Sequence, residues 1–178
     1  MYYLETDRIY LRHFQEEDLQ DFFDYAKVPG VGEKAGWNHH ETIEDSRMIL
    51  YKNLIPNPDD YAIVDKKTGK VIGSFGLHLS STRVRNDFPE EKVKELGYVL
   101  AKDYWGQGIM TEILSAALIK WTEERKCNVL TAIVFSDNKG SVHVLEKCGF
   151  RHYRIVKDCP IEALNQTKDE YYFYLRLA

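Results

Sequence analysis

Two glycines, Gly106 and Gly108, stand between an apolar strand-like run and the start of a long amphipathic helix pattern. A glycine lets the backbone approach a ligand closely because it has no Cβ. The unpaired N–H groups of a helix's first turn, together with the helix dipole, favour an anion at that end. Residues 97–114 are therefore typical of a phosphate-binding turn, although a glycine pair before a helix also occurs in ordinary tight turns.

Two further polar residues open a second helix pattern. Asn138 and Ser141 follow the continuous apolar run 129–135, which indicates a buried strand. An asparagine at such a position is expected to cap the helix. Ser141 falls in the first helical turn, where a small polar residue has an ordinary structural explanation. On the pattern alone, both residues can be structural or chemical.

The cysteines do not indicate cysteine or metal chemistry. Cys127, Cys148 and Cys159 are odd in number and lack C-x-x-C spacing, so we expect neither a disulfide framework nor a metal site. Cys127 and Cys148 lie near predicted helix ends on apolar faces, which favours packing roles. This cysteine usage fits a reducing, cytoplasmic location.

Composition limits the class of protein. The 178 residues suit one domain, 1–178, and 44% hydrophobic with 29% charged residues is an ordinary globular balance. A net charge of −4 gives no global basic field for nucleic acid. No apolar run approaches the ~20 residues of a membrane helix, and the N-terminal segment has no apolar core of a signal peptide.

The elements that must position these residues alternate along the chain. Apolar periodicity predicts strands over 9–12, 61–64, 71–79, 93–100, 129–135, 151–156 and 171–177. It predicts helices over 16–27, 42–54, 107–124 and 137–148. Thr42 with Asp45 is a variant of the capping box. Residues 80–91 are expected to be a loop. The order predicts an α/β domain with one mixed sheet of about seven strands flanked by about four helices.

Four segments in order resemble the GNAT acetyltransferase superfamily. The run from Asn138 to Phe150 resembles its N-x-x-S/A…(E)K-x-G-F signature, and residues 97–113 resemble the acetyl-CoA segment of its RimJ/RimL-like branch. The segments ETDRIYLRHFQEEDL and AGWNHHETIEDSRMIL resemble the RimJ/RimL-like branch, the ribosomal-protein-alanine N-acetyltransferases. The resemblance covers nearly the whole chain and implies a sheet with a V-shaped splay.

The chain departs from the superfamily pattern at three positions. In Q/R-x-x-G-x-G/A, Trp105 occupies the Q/R position and Met110 the final small position. A bulky Met110 would crowd a pyrophosphate unless its side chain points into the core. Leu145 stands where many members carry a tyrosine general acid, and the RimJ/RimL-like branch commonly uses a serine at the Ser141 position instead.

The resemblance implies the residues that bind acetyl-CoA. The backbone of Val99 and Leu100 is expected to pair with the pantetheine arm, and Asn138 to bond a pantetheine amide. Ser141 is expected to contact the leaving sulfur. The N–H groups of one segment are expected to hold the pyrophosphate, namely Gly106, Gln107, Gly108, Ile109, Met110 and Thr111.

The base and the acceptor pocket are less closely defined. Direct acetyl transfer to an amine requires a general base. Glu95 on the central strand and His78 on the preceding strand are the candidates, although each has a solvated or structural alternative. The acceptor is expected to contact Trp37, His39, His40 and Tyr98, of which the first three lie in a loop and the last has aromatic packing as its alternative.

The resulting hypothesis is an acetyl-CoA-dependent N-acetyltransferase that acts on a protein N-terminal amine or a small amine. We expect no metal cofactor, no nucleic-acid or membrane partner, and a monomer or homodimer. The alternative is a catalytically silent acyl-CoA-binding module or sensor, which Leu145 and the undefined base would fit. An interaction protein that uses the fold only as a scaffold is a third possibility.

Overall fold

Eight strands and five α-helices make up the computed structural model, which describes residues 2–177. The strands are β1 (Leu4–Glu5), β2 (Ile9–His13), β3 (Asp60–Asp65), β4 (Val71–Leu79), β5 (Val93–Leu100), β6 (Val129–Phe135), β7 (Arg151–Ile161) and β8 (Gln166–Arg176). The helices are α1 (Leu19–Ala26), α2 (Ile43–Ile49), α3 (Thr82–Asp87), α4 (Ile109–Glu123) and α5 (Lys139–Lys147).

The strands form one mixed sheet in the order β1-β2-β3-β4-β5-β6-β8-β7. β5 and β6 run parallel, whereas β1–β2, β2–β3, β3–β4, β6–β8 and β7–β8 are antiparallel. The parallel register is short: it joins Val93–Glu95 to Val129–Thr131, although both strands continue beyond it. The splay of the sheet is expected at the C-terminal end of β5, beyond these paired residues.

The chain folds as two compact units. The N-terminal unit comprises Met1–Gly76 and Tyr98–Ile109, and its core packs α1, together with Leu50 just past the end of α2, on the strands of this unit. Its buried residues are Phe14, Phe22, Tyr25, Ala26, Val31, Leu50, Ala62, Val64 and Val71. The predicted capping box at the start of α2 is confirmed, because Thr42 accepts from Asp45 N and Asp45 accepts from Thr42 N.

The C-terminal unit comprises Leu77–Gly97 and Met110–Ala178. Here α3 contributes Val84 and, just past its end, Phe88 to an apolar cluster with Val93, Val129 and Tyr172. Helix α4 buries an apolar stripe that includes Ile113, Leu114, Ala117 and Trp121, as its periodicity predicts.

The predicted α/β fold with one mixed sheet is confirmed, and residues 2–177 contain eight strands and five α-helices where about seven and about four were expected. β1 is only two residues long, and α3 replaces the loop predicted for 80–91. α3 buries one residue, Val84, and so presents no helical stripe in the sequence. β7 and β8 extend well into the predicted polar loop, because an edge strand tolerates Pro160 and a bulge between Val156 and Cys159 interrupts the alternation.

None of the helices within residues 2–177 has the length and apolar content that crossing a membrane would need. Over the same residues, no three His, Cys, Asp or Glu side chains gather into a group that could hold a metal ion.

Candidate active site

The segment 101–108 of the N-terminal unit, between β5 and α4, is the glycine loop. Its backbone turns once as a 3-10 helix over Lys102–Tyr104 and then adopts a positive φ at Gly106 (71°) and Gly108 (76°). Such left-handed backbone favours glycine. Both glycines are exposed, and nothing lies within 4 Å of a Cβ built on Gly106. The loop thus offers open backbone directly before the first turn of α4.

Side-chain hydrogen bonds fix the first half of the glycine loop. The Trp105 indole Nε1 donates to the Leu100 carbonyl at 2.7 Å, and the Tyr104 hydroxyl donates to Asp65 Oδ2 at 3.1 Å. Burial alone would raise the pKa of Asp65, but hydrogen bonds from Thr68 and Tyr104 bring it below its usual range. Asp65 therefore acts as a charged acceptor that ties the loop to the β3–β4 turn.

Two more contacts fix the second half. Gln107 Nε2 donates to the Asp103 carbonyl at 2.8 Å, so the Gln107 side chain braces its own loop. The Gln107 carbonyl in turn accepts from Arg8 Nη1 at 2.8 Å. The Lys34 ammonium lies 5.2 Å from the centroid of the Trp105 ring. Two cations therefore lie beside a loop whose geometry already suits an anion.

The end of β5 approaches β4 unusually closely. A Cβ built on Gly73 would lie 2.2 Å from the Val99 carbonyl oxygen, and Ala101 N donates to the Ile72 carbonyl at 2.7 Å. The Leu100 carbonyl accepts the Trp105 indole. The predicted pairing of Val99 and Leu100 with a pantetheine arm stays a prediction.

In the loop between α1 and α2, Trp37 and His40 pack together with ring centroids 5.1 Å apart. A Cβ on Gly32 would lie 2.3 Å from the Trp37 ring, so Gly32 is the residue that lets Trp37 pack down. His40 Nδ1 is 2.7 Å from Ser46 Oγ, and burial lowers the pKa of His40. Burial of His40 thus favours the neutral form of its imidazole.

His39 lies in the same loop and is held by Glu33. Its Nδ1 is 2.7 Å from Glu33 Oε1, and its backbone N–H donates to the same carboxylate. Burial opposes ionisation of Glu33, but the hydrogen bonds from His39 and from Gly30 N lower its pKa to about 2. Glu33 orders this loop, and the roles predicted for Trp37, His39 and His40 toward an acceptor stay predictions.

Tyr98 is half-buried in the N-terminal unit and stacks on Phe75, with ring centroids 6.5 Å apart and an interplanar angle of 18°. Aromatic packing is therefore realised at Tyr98. This packing is compatible with a contact to the acceptor, because a stacked tyrosine can still present its edge or hydroxyl.

Glu95, in the C-terminal unit, is a half-buried carboxyl directly opposite Thr131 at the last residue pair of the parallel ladder. Burial raises the pKa of Glu95, and the negative charge of Glu170 raises it further. A carboxylate with a raised pKa is a better proton acceptor near neutral pH than an ordinary glutamate. The role of general base predicted for Glu95 stays a prediction.

His78 is exposed and lies against β5 in the C-terminal unit. A Cβ built on Gly97 would fall 2.9 Å from His78 Nε2, so Gly97 provides the space for this imidazole. The imidazole is thus accessible and close to the backbone of the predicted central strand.

Asn138 caps α5 as predicted: its Oδ1 accepts from Ser141 N at 3.3 Å. Ser141 is only 9% exposed. The cap occupies the amide oxygen of Asn138, and the role toward pantetheine would use its Nδ2 group as donor. The contacts predicted for Asn138 and Ser141 with the substrate stay predictions.

Two bulky residues that depart from the superfamily pattern are buried. Met110, the second residue of α4, belongs to the C-terminal unit and is 6% exposed, so its side chain is part of the core. Leu145 is fully buried and makes α5 part of the core. Ile109 is also buried, whereas Thr111 is half-buried. Of the two possibilities raised for Met110, crowding of a pyrophosphate or burial in the core, the structure shows burial in the core.

The cysteines have no activated thiolate. All three are free thiols, and burial raises the pKa of Cys148 and Cys159 and brings that of Cys127 to about 11. Nucleophilic thiols need a lowered pKa. These side chains therefore do not suit a covalent intermediate.

Two residues of the site were missed in the sequence. Arg8 reaches the glycine loop from a position 99 residues earlier in the chain. Glu170 acts on Glu95 from β8. Arg8 carries no local signal of this contact. The predicted strand 171–177 begins directly after Glu170. A prediction that started this strand one residue earlier would have placed the Glu170 carboxylate on β8.

Comparison with known proteins gives the family. The model of the acetyltransferase (GNAT) domain matches residues 8–151. The chain is 30% identical over 162 residues to the uncharacterized protein YkkB of Bacillus subtilis, covering 86% of this chain and 88% of that protein. It is 25% identical over 176 residues to the uncharacterized N-acetyltransferase p20 of Bacillus licheniformis, covering 97% and 94%.

Solved structures share the fold at low identity. A GNAT-family acetyltransferase from Bacillus anthracis has a TM-score of 0.82 at 23% identity, with 99% and 98% of the two chains covered. Spermidine N-acetyltransferase from Vibrio cholerae, in complex with CoA and spermine, has a TM-score of 0.75 at 16% identity, with 97% of each chain covered. Ribosomal-protein-S5-alanine acetyltransferase from Vibrio fischeri scores 0.73 at 17%, covering 97% and 95%. With its family model spanning most of the residues, the chain belongs to the GNAT family and is an N-acetyltransferase.

Proposed function

We propose that this enzyme transfers the acetyl group of acetyl-CoA directly to a primary amine, either a protein N-terminal amine or a small amine. The observation that carries the proposal is the glycine loop, whose exposed left-handed glycines lead straight into α4. Such an arrangement suits a diphosphate, because backbone N–H groups and the helix dipole act on the same anion. Relatives with CoA or acetyl-CoA bound share the fold.

In this proposal the N–H groups of Gly106–Thr111 bind the pyrophosphate of the cosubstrate. The burial of Met110 supports this assignment, because the backbone N–H at this position can serve without its side chain crowding an anion. The backbone of Val99 and Leu100 and the amide of Asn138 bind the pantetheine arm. The family resemblance supplies these last roles.

The reaction needs one base and one acid. Glu95 accepts a proton from the acceptor ammonium, and the freed amine nitrogen forms a bond to the thioester carbon. The carbon–sulfur bond breaks, and Ser141 donates a proton to the departing sulfur. The nitrogen then gives up its second proton, which restores the Ser141 hydroxyl and leaves a neutral amide. The raised pKa of Glu95 supports its part. His78 is the alternative base, since histidine is a common general acid or base in catalysis.

Two acceptor classes are supported by different relatives. One structural relative is a ribosomal-protein-S5-alanine acetyltransferase, and another is a spermidine N-acetyltransferase. We place the protein N-terminus first because three of the four resembling segments resemble the RimJ/RimL-like branch. The acceptor would contact Trp37, His39, His40 and Tyr98. We further propose a cytoplasmic enzyme that acts as a monomer or homodimer.

The proposal is tested by following thiol release from acetyl-CoA in the presence of separate acceptors. The set contains peptides with N-terminal alanine or serine, spermidine and free amino acids. Turnover with one acceptor class supports the proposal and identifies the acceptor. Tight CoA binding without turnover on any amine would instead favour a silent acyl-CoA-binding module, which the buried Leu145 also fits.

Catalytic roles are separated by variants. Ser141→Ala is expected to lower kcat while CoA affinity stays close to that of the wild type, because a proton donor acts on the leaving sulfur. Equal losses in kcat and affinity would make Ser141 a binding residue. Glu95→Gln is expected to lower kcat by about 10²–10⁴-fold, the range for a general base. A larger loss in His78→Gln than in Glu95→Gln would transfer the role of base to His78.

A further inference from the structure

Arg8 contacts the glycine loop at a carbonyl that lies between its two left-handed residues. Its Nη1 donates to the Gln107 oxygen at 2.8 Å, and its Nη2 lies 3.8 Å from the position of a Cβ on Gly108. The guanidinium thus lies beside the peptide that joins Gln107 to Gly108. A bond from a charged donor to a carbonyl is stronger than one between neutral groups.

The planarity of that peptide fixes the direction of the next N–H. In a trans peptide the carbonyl of one residue and the N–H of the following residue point to opposite sides, and the chain has no cis peptide among its described residues. Because Arg8 holds the Gln107 carbonyl on its own side, the Gly108 N–H points away from Arg8. The same bond turns the partial negative charge of the carbonyl away from the side on which the N–H is presented.

The left-handed glycines make this peptide easy to turn. A glycine populates positive and negative φ about equally, so Gly106 and Gly108 on either side of Gln107 impose little preference of their own. The brace from Gln107 Nε2 to Asp103 fixes the side chain but not the carbonyl. Arg8, by contrast, bonds the carbonyl itself.

We propose that Arg8 is a positioning residue that orients the Gly108 N–H toward the pyrophosphate of the cosubstrate, without contacting the phosphate itself. This inference rests on the proposed function, because it needs a diphosphate as the ligand of the glycine loop. It predicts a role in CoA affinity that does not depend on the charge of Arg8 acting on the ligand.

The test is isothermal titration of CoA and of 3′-dephospho-CoA into the wild type, Arg8→Met and Arg8→Lys. Arg47→Met is the matched control, since Arg47 is exposed and its Nε bonds Glu44 three residues earlier on the same helix. Arg8→Met is expected to weaken both ligands by about 10- to 100-fold, the range for one hydrogen bond to a charged group. Arg8→Lys is expected to lose less, because an ammonium can still donate to the carbonyl.

A kinetic readout, a salt dependence and a folding control accompany the titrations. With acetyl-CoA as the varied substrate, KM is expected to rise in Arg8→Met while kcat at saturation and the amine KM stay near wild type. The ratio of affinities between wild type and variant is expected to persist at about 0.5 M NaCl, where exposed charges are screened. Equal thermal midpoints would show that Arg8→Met is folded, and Arg8→Lys provides the comparison if it is not.

Opposite results overturn the inference. A loss that disappears at high salt, or one confined to CoA and absent with 3′-dephospho-CoA, would mean that Arg8 acts directly on a phosphate. Wild-type binding that neither Arg8 variant weakens would also overturn it and would leave the proposed function standing. A wild type that binds neither ligand would overturn the proposed function and this inference together.

Discussion

Substitution of Gly106 by alanine isolates the backbone strain of the glycine loop. Gly106 has a φ of 71° and no atom within 4 Å of a built Cβ, so Gly106→Ala introduces no clash. Its cost is the left-handed backbone of a residue with a Cβ, about 1–2 kcal/mol. For a chain of this size that corresponds to a fall in Tm of about 2–8 °C.

The binding of CoA decides where that free energy appears. A loop that keeps its shape lowers the free energy of unfolding of both the free and the bound protein. A loop that relaxes spares the free protein, and CoA binding must then restore the strained shape, which weakens affinity by up to about 5- to 30-fold. In either case the free energy of unfolding of the CoA complex is expected to fall by about 1–2 kcal/mol.

Gly149→Ala is the matched control for Gly106→Ala. Gly149 has a φ of 88°, is exposed and lies just after α5, with only Leu175 Cδ1 in ordinary contact at 3.9 Å. Its strain is expected to appear wholly as lost stability. Thermal unfolding with and without CoA, together with titration calorimetry, measures both quantities. The reasoning would be refuted if the stability of the CoA complex were unchanged in Gly106→Ala. It would also be refuted if Gly149→Ala lost as much CoA affinity as Gly106→Ala.

Three other predictions concern the strands and the start of α4. Gly73→Ala is expected to destabilise the protein by about 1–3 kcal/mol through overpacking, because its Cβ would lie 2.2 Å from the Val99 carbonyl; urea unfolding measures this, and an unchanged midpoint would contradict it. Met110→Ala is expected to cost about 2–5 kcal/mol as a buried truncation with unchanged CoA affinity; tighter CoA binding would show that the side chain does crowd the ligand. Glu95→Gln is expected to raise the thermal midpoint when it is measured at a pH above neutral, and to leave it unchanged in acid. The same change is expected to remove the acid limb of the kcat/KM profile. A difference in thermal midpoint that does not depend on pH would contradict the expected effect on stability.

The sign of the Glu95 effect follows from its burial. Burial and Glu170 raise the pKa of Glu95, so the folded protein holds that proton more tightly than the unfolded chain. The ionised carboxylate therefore costs stability once the pH exceeds the folded pKa, and this cost is relieved as the pH falls. Glu170→Gln is the control, since removing this charge is expected to move the acid limb of activity to lower pH.

The elements around the glycine loop were predictable because their signals are local. The apolar run of β5, the two glycines and the periodicity of α4 lie within a few residues of one another, and each acts through its own backbone. The capping box of α2 is local in the same sense. α3 was not predictable, because a six-residue helix with one buried side chain has no periodic pattern.

What the sequence by itself determined was therefore the strand–turn–helix with its glycines, the asparagine cap of α5 and, through resemblance, the family. Only the tertiary structure decided which way the Gln107 carbonyl points, because Arg8 is 99 residues away. Tertiary packing also decided that the Met110 side chain is buried and that the pKa of Glu95 is raised. Backbone conformation and capping need only neighbours along the chain, whereas burial and long-range hydrogen bonds exist only once distant segments have packed together.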